Sequence, residues 1–207
     1  MTRQGDSSDT VCVVLEGRAK VTVDTVDGRT VVLGILGPGD LIGELEALVD
    51  LPSRSASIVA LESMVVLAVS GKAFVDFLLA HPAASLALVR TTIRRLGAAD
   101  RRRVGRTAVD APHALAKFLV ELIERGRSAD PNGVEVGVPL AQHELASLIG
   151  VSRNSMVRAL SSLRALGLIA TTGQAVSILD VAGLLEFARS PGAGGSVLAN
   201  EADRRGR

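Results

Sequence analysis

Through the first seventy residues, short runs of Val, Ile and Leu alternate with glycine-centred polar breaks; beyond Ser70 the apolar positions recur every three or four residues instead. The runs at 11–15, 19–25, 30–36 and 57–69 are separated by Glu16-Gly17, Asp27-Gly28 and Gly37-Pro38-Gly39-Asp40. β-branched side chains fit a pleated, half-buried surface, so each run predicts a strand. Asp27-Gly28 between two such runs predicts a hairpin, because glycine supplies the positive φ that a tight reversed turn needs. Short strands at regular spacing predict an antiparallel barrel or roll over residues 1–81.

The change of period predicts helices. Ser70 caps a short one over 72–80 that stops near His81-Pro82. Pro82 then opens a longer helix over 82–106, since a proline in the first turn has no hydrogen bond to lose. On it Leu86, Val89, Ile93 and Leu96 recur at 3-4-3 spacing, and Asp100 and Arg103 continue the same phase as polar residues. The other faces carry Arg90, Arg94, Arg95, Arg101, Arg102 and Arg106. One apolar stripe on an otherwise wet helix predicts pairing with the same helix of a second copy; the plainer alternative is an ordinary core-facing helix.

Residues 107–111 read as a hinge. Asp110 is placed to cap a helix with Pro112 in its first turn and Ala114, Leu115, Phe118, Leu119, Leu122 and Ile123 on its apolar face. A loop over 126–133 and a short strand over 134–138 follow. After Ser190, Pro191-Gly192-Ala193-Gly194-Gly195-Ser196 and a charged end predict a disordered tail over 191–207. No internal repeat is present.

The most specific pattern lies within residues 142–169. Gln142-His143-Glu144-Leu145-Ala146-Ser147-Leu148-Ile149 predicts one short amphipathic helix, Gly150-Val151-Ser152 a tight turn, and 152–166 a second helix. Met156, Leu160 and Leu163 face inward, while Arg153, Asn154, Arg158 and Arg164 face outward, and Gly167 ends the helix. Two helices joined by a short glycine turn make a helix-turn-helix. Residues 171–179, turning at Gly173-Gln174, predict a wing hairpin. The N-terminal end of the second helix is the part that enters a major groove. Arginine's planar fork matches guanine O6 and N7, and asparagine pairs similarly with adenine. The DNA-binding candidates are Gln142, His143, Ser152, Arg153, Asn154, Ser155 and Arg158. The plainer alternative is an αα-hairpin with solvated arginines.

Charge sharpens this division. The chain's net charge of +1 is split between residues 1–80, at −5, and residues 81–207, at +6, so the second part is the one suited to a polyanion. At 207 residues, 47% hydrophobic and 22% charged, the composition is that of a globular chain with one large domain or two small ones. No apolar run approaches the ~18 residues of a membrane span, and the N-terminus lacks an apolar leader, so a cytoplasmic protein without membrane contact is expected. Cys12 stands alone, which excludes an internal disulfide, a four-thiolate zinc site and a four-cysteine iron–sulfur cluster. With four Phe and neither Trp nor Tyr, a stacking platform for single strands is not expected. Nothing supports an enzyme: Glu44 with His81 or Asp50 gives no nucleophile–base pair and no metal set.

A second constellation lies in the acidic half. Gly39-Asp40-Leu41-Ile42-Gly43-Glu44-Leu45 runs from a turn into a short helix, and Arg54-Ser55-Ala56 comes ten residues after Glu44. An arginine and a hydroxyl can hold a phosphate, while a carboxylate such as Glu44 can accept from a sugar hydroxyl. The alternative is an Arg54–Glu44 ion pair that stitches a loop.

Gly5-Asp6, Leu41-Ile42-Gly43-Glu44-Leu45, Arg54-Ser55-Ala56, the long helix, Glu144-Leu145-Ala146, Val151-Ser152-Arg153 and Arg158 together resemble the catabolite activator/Fnr family of bacterial transcription regulators, over roughly residues 3–180. The resemblance implies an α+β fold: an N-terminal β-roll of cyclic-nucleotide-binding type (1–81), a long dimerisation helix and hinge (82–107), and a winged helix-turn-helix (108–190) reading a palindrome as a homodimer. It implies an effector site at Gly43, Glu44, Leu45, Arg54, Ser55, Ala56 and Asp100, with Glu44 on ribose and Arg54 and Ser55 on the cyclic phosphate. Cyclic AMP and cyclic GMP are the candidate effectors and RNA polymerase a candidate partner. Members usually carry a further N-terminal helix and the first strands, so the roll is expected to be incomplete or the recorded start to lie too far downstream. The adenine-recognising hydroxyl pair falls at Ala99 and Asp100, of which alanine cannot donate, and Asn154 stands where cyclic-AMP-type members carry an acid. Cys12 alone rules out the redox-cluster type, and His81, His113 and His143 are expected to be structural or merely exposed rather than haem ligands. The reading is an effector-modulated DNA-binding regulator; the alternative keeps the architecture with a degenerate sensor and no effector.

Overall fold

The computed structural model describes residues 2–7, 9–104, 111–125, 138–172 and 175–190. The expected cap Asp110, Arg106, nearly all of the hinge at 107–111, the loop at 126–133, residues 134–137 of the expected strand, the wing turn Gly173-Gln174 and the tail 191–207 lie outside the described residues. So do the side chains of Arg94, Arg95, Leu96, Ala99, Asp100, Arg101, Arg102 and Arg103. The chain divides into two compact units, Met1–Asp100 and Arg101–Arg207.

In the first unit β1 (Thr10–Glu16), β2 (Ala19–Asp24), β3 (Thr30–Leu36), β4 (Leu41–Ile42), α1 (Glu44–Val49), β5 (Ser57–Ala60), β6 (Val65–Ser70) and α2 (Gly71–Ala80) follow in order, and then α3 (Pro82–Val104), whose last residues belong to the second unit. The strands form two three-stranded antiparallel sheets, ordered β4-β1-β6 and β3-β2-β5. Val14, Ala19, Leu36, Ile42 and Ile58 from the two sheets pack into one core, with Cys12, Val21 and Met64 against it. β2 and β3 are joined by the expected hairpin, which turns through Gly28 at φ +76 and is closed by a bond from the Thr25 N–H to the Arg29 carbonyl at 2.8 Å.

The run at 57–69 is not one strand. Its first part pairs with β2 (Val21↔Ile58) and its second with β1 (Val13↔Leu67), in different sheets, so the chain must break between them. The break is held by Arg18, whose Nε and Nη2 donate to the two Glu62 oxygens at 2.8 and 3.0 Å. The Arg18 bond outweighs partial burial and holds the Glu62 carboxyl below the usual carboxylate range.

Ser70 caps α2 as expected, its Oγ accepting from the Ala73 N–H at 3.2 Å. On α3, Leu86, Val89 and Ile93 are 50, 52 and 62% exposed in the single chain. Among the described residues no single helix is long and apolar enough to cross a membrane.

The second unit contains α4 (Ala111–Arg125), β7 (Val138–Pro139), α5 (Gln142–Ile149), α6 (Arg153–Ala165), β8 (Ile169–Thr172), β9 (Ala175–Ile178) and α7 (Val181–Arg189). Its sheet is ordered β7-β9-β8. Leu115, Leu119 and Leu122 of α4, Leu145 and Leu148 of α5, and Met156, Leu160 and Leu163 of α6 are all buried and form the core with Ile169 and Leu184. The wing starts earlier than expected, at Ile169, paired in register with Ile178. Helix α7 was not expected. Asp180 caps it by accepting from the Gly183 N–H at 2.9 Å, and it packs on α4. His113 stacks on Phe187 of α7 with ring centroids 4.2 Å apart and shares a 3.0 Å hydrogen bond with Ser190 Oγ, which gives this histidine a structural role.

Candidate functional site

Two groups of side chains carry chemistry, one in each unit. The first is built on α5, its turn and α6. Helix α5 starts with the Glu144 carboxylate accepting from the Ala141 N–H at 2.9 Å and ends at Gly150, whose φ of +74 lies in the left-handed region that glycine enters without steric cost. Ser152 then caps α6, its Oγ accepting from the Ser155 N–H at 3.1 Å. Met156, Ala159, Leu160 and Leu163 bury one side of α6. The burial fixes which side faces water.

That side presents Ser152, Arg153, Asn154, Val157, Arg158 and Ser161, all exposed, with Gln142 and His143 exposed at the start of α5 and Ser155 half-buried. The side chains of Arg153, Asn154 and Arg158 make no hydrogen bond or ion pair with any described residue. Arg164, expected to face outward with them, differs: it is exposed, but it donates to the Leu160 carbonyl at 3.3 Å, Thr171 Oγ1 at 3.1 Å and Ser161 Oγ at 3.0 Å, tying α6 to β8. Val157, 48% exposed between Asn154 and Arg158, escaped the sequence reading. An apolar residue off the 156-160-163 stripe was the signal that could have found it.

The second group surrounds α1. Gly43, Glu44, Leu45, Arg54, Ser55 and Ala56 line one cavity of about 170 Å³ together with Glu46. Gly43 has φ +85, and a Cβ there would overlap Arg54 Nη1 and the Thr10 carbonyl, so only glycine lets the guanidinium lie over this turn. Arg54 is pinned by its backbone as well: its N–H donates to the Asp6 carbonyl and its carbonyl accepts from Gly5, both at 2.9 Å.

Glu46, an acid that the sequence analysis does not single out, meets Arg54. Arg54 Nη1 donates to Glu46 Oε2 at 3.2 Å, and Arg54 Nη2 to the Thr10 carbonyl at 2.5 Å. The Ser55 N–H and Oγ donate to Glu46 Oε1 at 2.9 and 2.8 Å. The pair is almost fully enclosed, with side-chain exposures of 4% for Arg54 and 7% for Glu46. Burial pushes the Glu46 carboxyl up, but the bonds from the Ser55 N–H and hydroxyl, with the Arg54 charge, outweigh it and hold the group below its ordinary value. The carboxylate is therefore ionised at neutral pH.

A larger cavity of about 590 Å³ is lined by Val13, Leu67, Phe74, Phe77, Leu88 and other residues of β1, β6, α2 and α3. Among the described residues its lining carries no charged side chain, and its hydroxyls are those of Thr91 and Thr92. The Asp100 side chain lies outside the described residues. Among the described residues no group of His, Cys, Asp and Glu could hold a metal ion.

Residues 1–81 match the family model for a cyclic nucleotide-binding domain, and residues 113–187 that for a Crp-like helix-turn-helix domain. The chain is 30% identical over 188 residues to the cyclic AMP receptor protein of Thermus thermophilus, covering 89% of this chain and 82% of the relative. It is 28% identical over 186 residues to a CRP-like cAMP-activated global transcriptional regulator of Mycobacterium tuberculosis, covering 90% and 83%. A solved CRP-family transcriptional regulator of Thermus thermophilus superposes with a TM-score of 0.67 at 26% identity, covering 92% of this chain and 93% of the other.

Proposed function

The chain belongs to the Crp/Fnr family of transcription regulators, and from that premise we propose that it acts as a homodimer binding a palindromic duplex, with residues 1–81 as sensor, 82–107 as dimer helix and hinge, 108–190 as reader and 191–207 as tail. The observation that carries the DNA reading is α6 itself: capped by Ser152, fixed by its buried side, and presenting Arg153, Asn154 and Arg158 without partners among the described residues. Arg153 and Arg158 are the candidates for guanine edges and Asn154 for adenine. Val157 adds an apolar group suited to a thymine methyl, while Gln142, His143, Ser152 and Ser155 supply phosphate contacts.

α3 supports the dimer. Leu86, Val89 and Ile93 leave a row of apolar surface in water, and a second copy of the same helix covers it. Two readers related by a two-fold axis match half-sites about one helical turn (~34 Å) apart. RNA polymerase is the partner through which such a regulator acts, and the cytoplasm is where it meets its operator. Sedimentation of the chain with a duplex it selects tests the assembly. Two chains per duplex is the expected stoichiometry, and Ile93→Asp is expected to reduce it to one or none; a single wild-type chain per duplex contradicts the proposal.

In the effector-modulated reading, a cyclic nucleotide bound among Gly43, Glu44, Leu45, Arg54, Ser55, Ala56 and Asp100 favours one arrangement of α3, and it can switch DNA binding only by preferring that state. The Glu46 carboxylate favours the second reading, DNA binding without a nucleotide effector, because it already engages Arg54 and Ser55. Duplex affinity measured with and without cyclic AMP and cyclic GMP separates the two. Unchanged affinity identifies the second, and a tenfold or larger change identifies the first.

A further inference from the structure

Glu46 is the buried ionised group for which neither the sequence reading nor the effector-modulated reading has a use. A bound phosphodiester presents two oxygens and one negative charge to its donors. The Glu46 carboxylate presents the same to Arg54 Nη1, the Ser55 N–H and the Ser55 hydroxyl, at 3.2, 2.9 and 2.8 Å. The charges of Arg54 and Glu46 cancel within an enclosure where both side chains are less than a tenth exposed. A phosphate brought to the same donors meets a like charge at close range in low dielectric, the arrangement buried sites least tolerate. Space gives the same answer. The remaining cavity of about 170 Å³ is below the ~300 Å³ at which ligand pockets begin.

We propose that the Glu46 carboxylate is the resident anion of this cradle, a side chain standing in for an effector phosphate, and that it is the residue by which this sensor refuses cyclic nucleotides. The inference rests on reading residues 1–81 as a sensor and deepens it. Glu46 is placed for the role by α1, whose short helix ends at Asp50 in the left-handed region at φ +54, with the Leu51 N–H bonded to the Glu46 carbonyl at 3.1 Å. The turn brings Arg54 and Ser55 back beneath the carboxylate.

Calorimetry of the full chain with cyclic AMP and cyclic GMP, for the wild type, Glu46→Gln, Glu46→Ala and the double variant Glu46→Ala/Arg54→Ala, tests the proposal, with circular dichroism as the check on folding. The wild type is expected to give no binding up to millimolar nucleotide. Glu46→Gln, which removes the charge with almost no change of shape, is expected to gain at least tenfold over the wild-type limit, and Glu46→Ala, which also frees the space, more. The double variant is expected to lose the gain, showing that it runs through the guanidinium. A wild type that binds as tightly as Glu46→Gln, or a folded Glu46→Gln that binds neither nucleotide, overturns the proposal. Duplex selection by the wild type, run separately, reports on the DNA reading whatever the nucleotide result.

Discussion

Arg54 and the pair Arg153 and Arg158 carry the same group in opposite situations. Arg54 is 4% exposed, with Nη1 donating to Glu46 and Nη2 to the Thr10 carbonyl; the side chains of Arg153 and Arg158 stand exposed on α6 with no partner among the described residues. A buried guanidinium is tolerable only with its counter-charge in place, so the first arginine is tied to stability. An exposed one contributes little to the fold and keeps its planar fork open to a polyanion. The difference separates an arginine engaged within its own unit from arginines left open on the surface.

The largest way to break this contrast is Arg54→Ala. It leaves Glu46 buried and uncompensated, and the loss expected in urea unfolding is about 3–5 kcal/mol. Arg153→Ala in the same assay is expected to shift stability by less than about 0.5 kcal/mol. Equal effects at the two positions would remove the distinction.

Acid attacks the same buried pair. The folded-state carboxyls of Glu46 and Glu62 are both held below their ordinary value. Their contribution is complete above the unfolded carboxylate value of about 4.3 and disappears as pH falls through the lowered folded values. Denaturation measured from pH 7 downward is expected to show stability falling below about pH 4.5, and less steeply in Glu46→Gln. A profile unchanged by Glu46→Gln contradicts the assignment.

On α6 the expected effects are smaller and are read on DNA. Arg153→Ala is expected to relax base preference at one position of each half-site at a cost of about 1–3 kcal/mol. A loss equal across all sequences would make Arg153 a phosphate contact instead. Smallest is Ser152→Ala, which removes the cap of α6 and is expected to lower stability by about 1 kcal/mol in thermal unfolding. No change would show that the bond to the Ser155 N–H adds nothing.

Most of the architecture was legible where period and punctuation agree. Gly150 and Ser152 mark the end of one helix and the start of the next, and α5 and α6 follow the apolar spacing of Leu145, Leu148, Met156, Leu160 and Leu163. The break between β5 and β6 was hidden because Leu61 and Met64 keep the run apolar, while its cause, Arg18 on Glu62, lies 44 residues away in sequence. Helix α7 was hidden because Gly183 sits in its first turn and its apolar side is defined only by α4. Gly43, Glu44, Leu45, Arg54, Ser55 and Ala56 do line one cavity, yet the burial of Glu46 against Arg54 was not readable. Glu44 and Glu46 lie about 200° apart around a helix, and spacing to Arg54 does not say that Glu46 is the buried one. That choice required the backbone turn at Asp50.

In the proposed function, α6 reads base edges as one of a pair. Selection of duplexes from a random pool by the full chain tests it most directly. The account predicts enrichment of a two-fold symmetric sequence with half-sites about one helical turn (~34 Å) apart, and loss of one position of each half-site with Arg153→Ala. A selected pool indistinguishable from the input would contradict it.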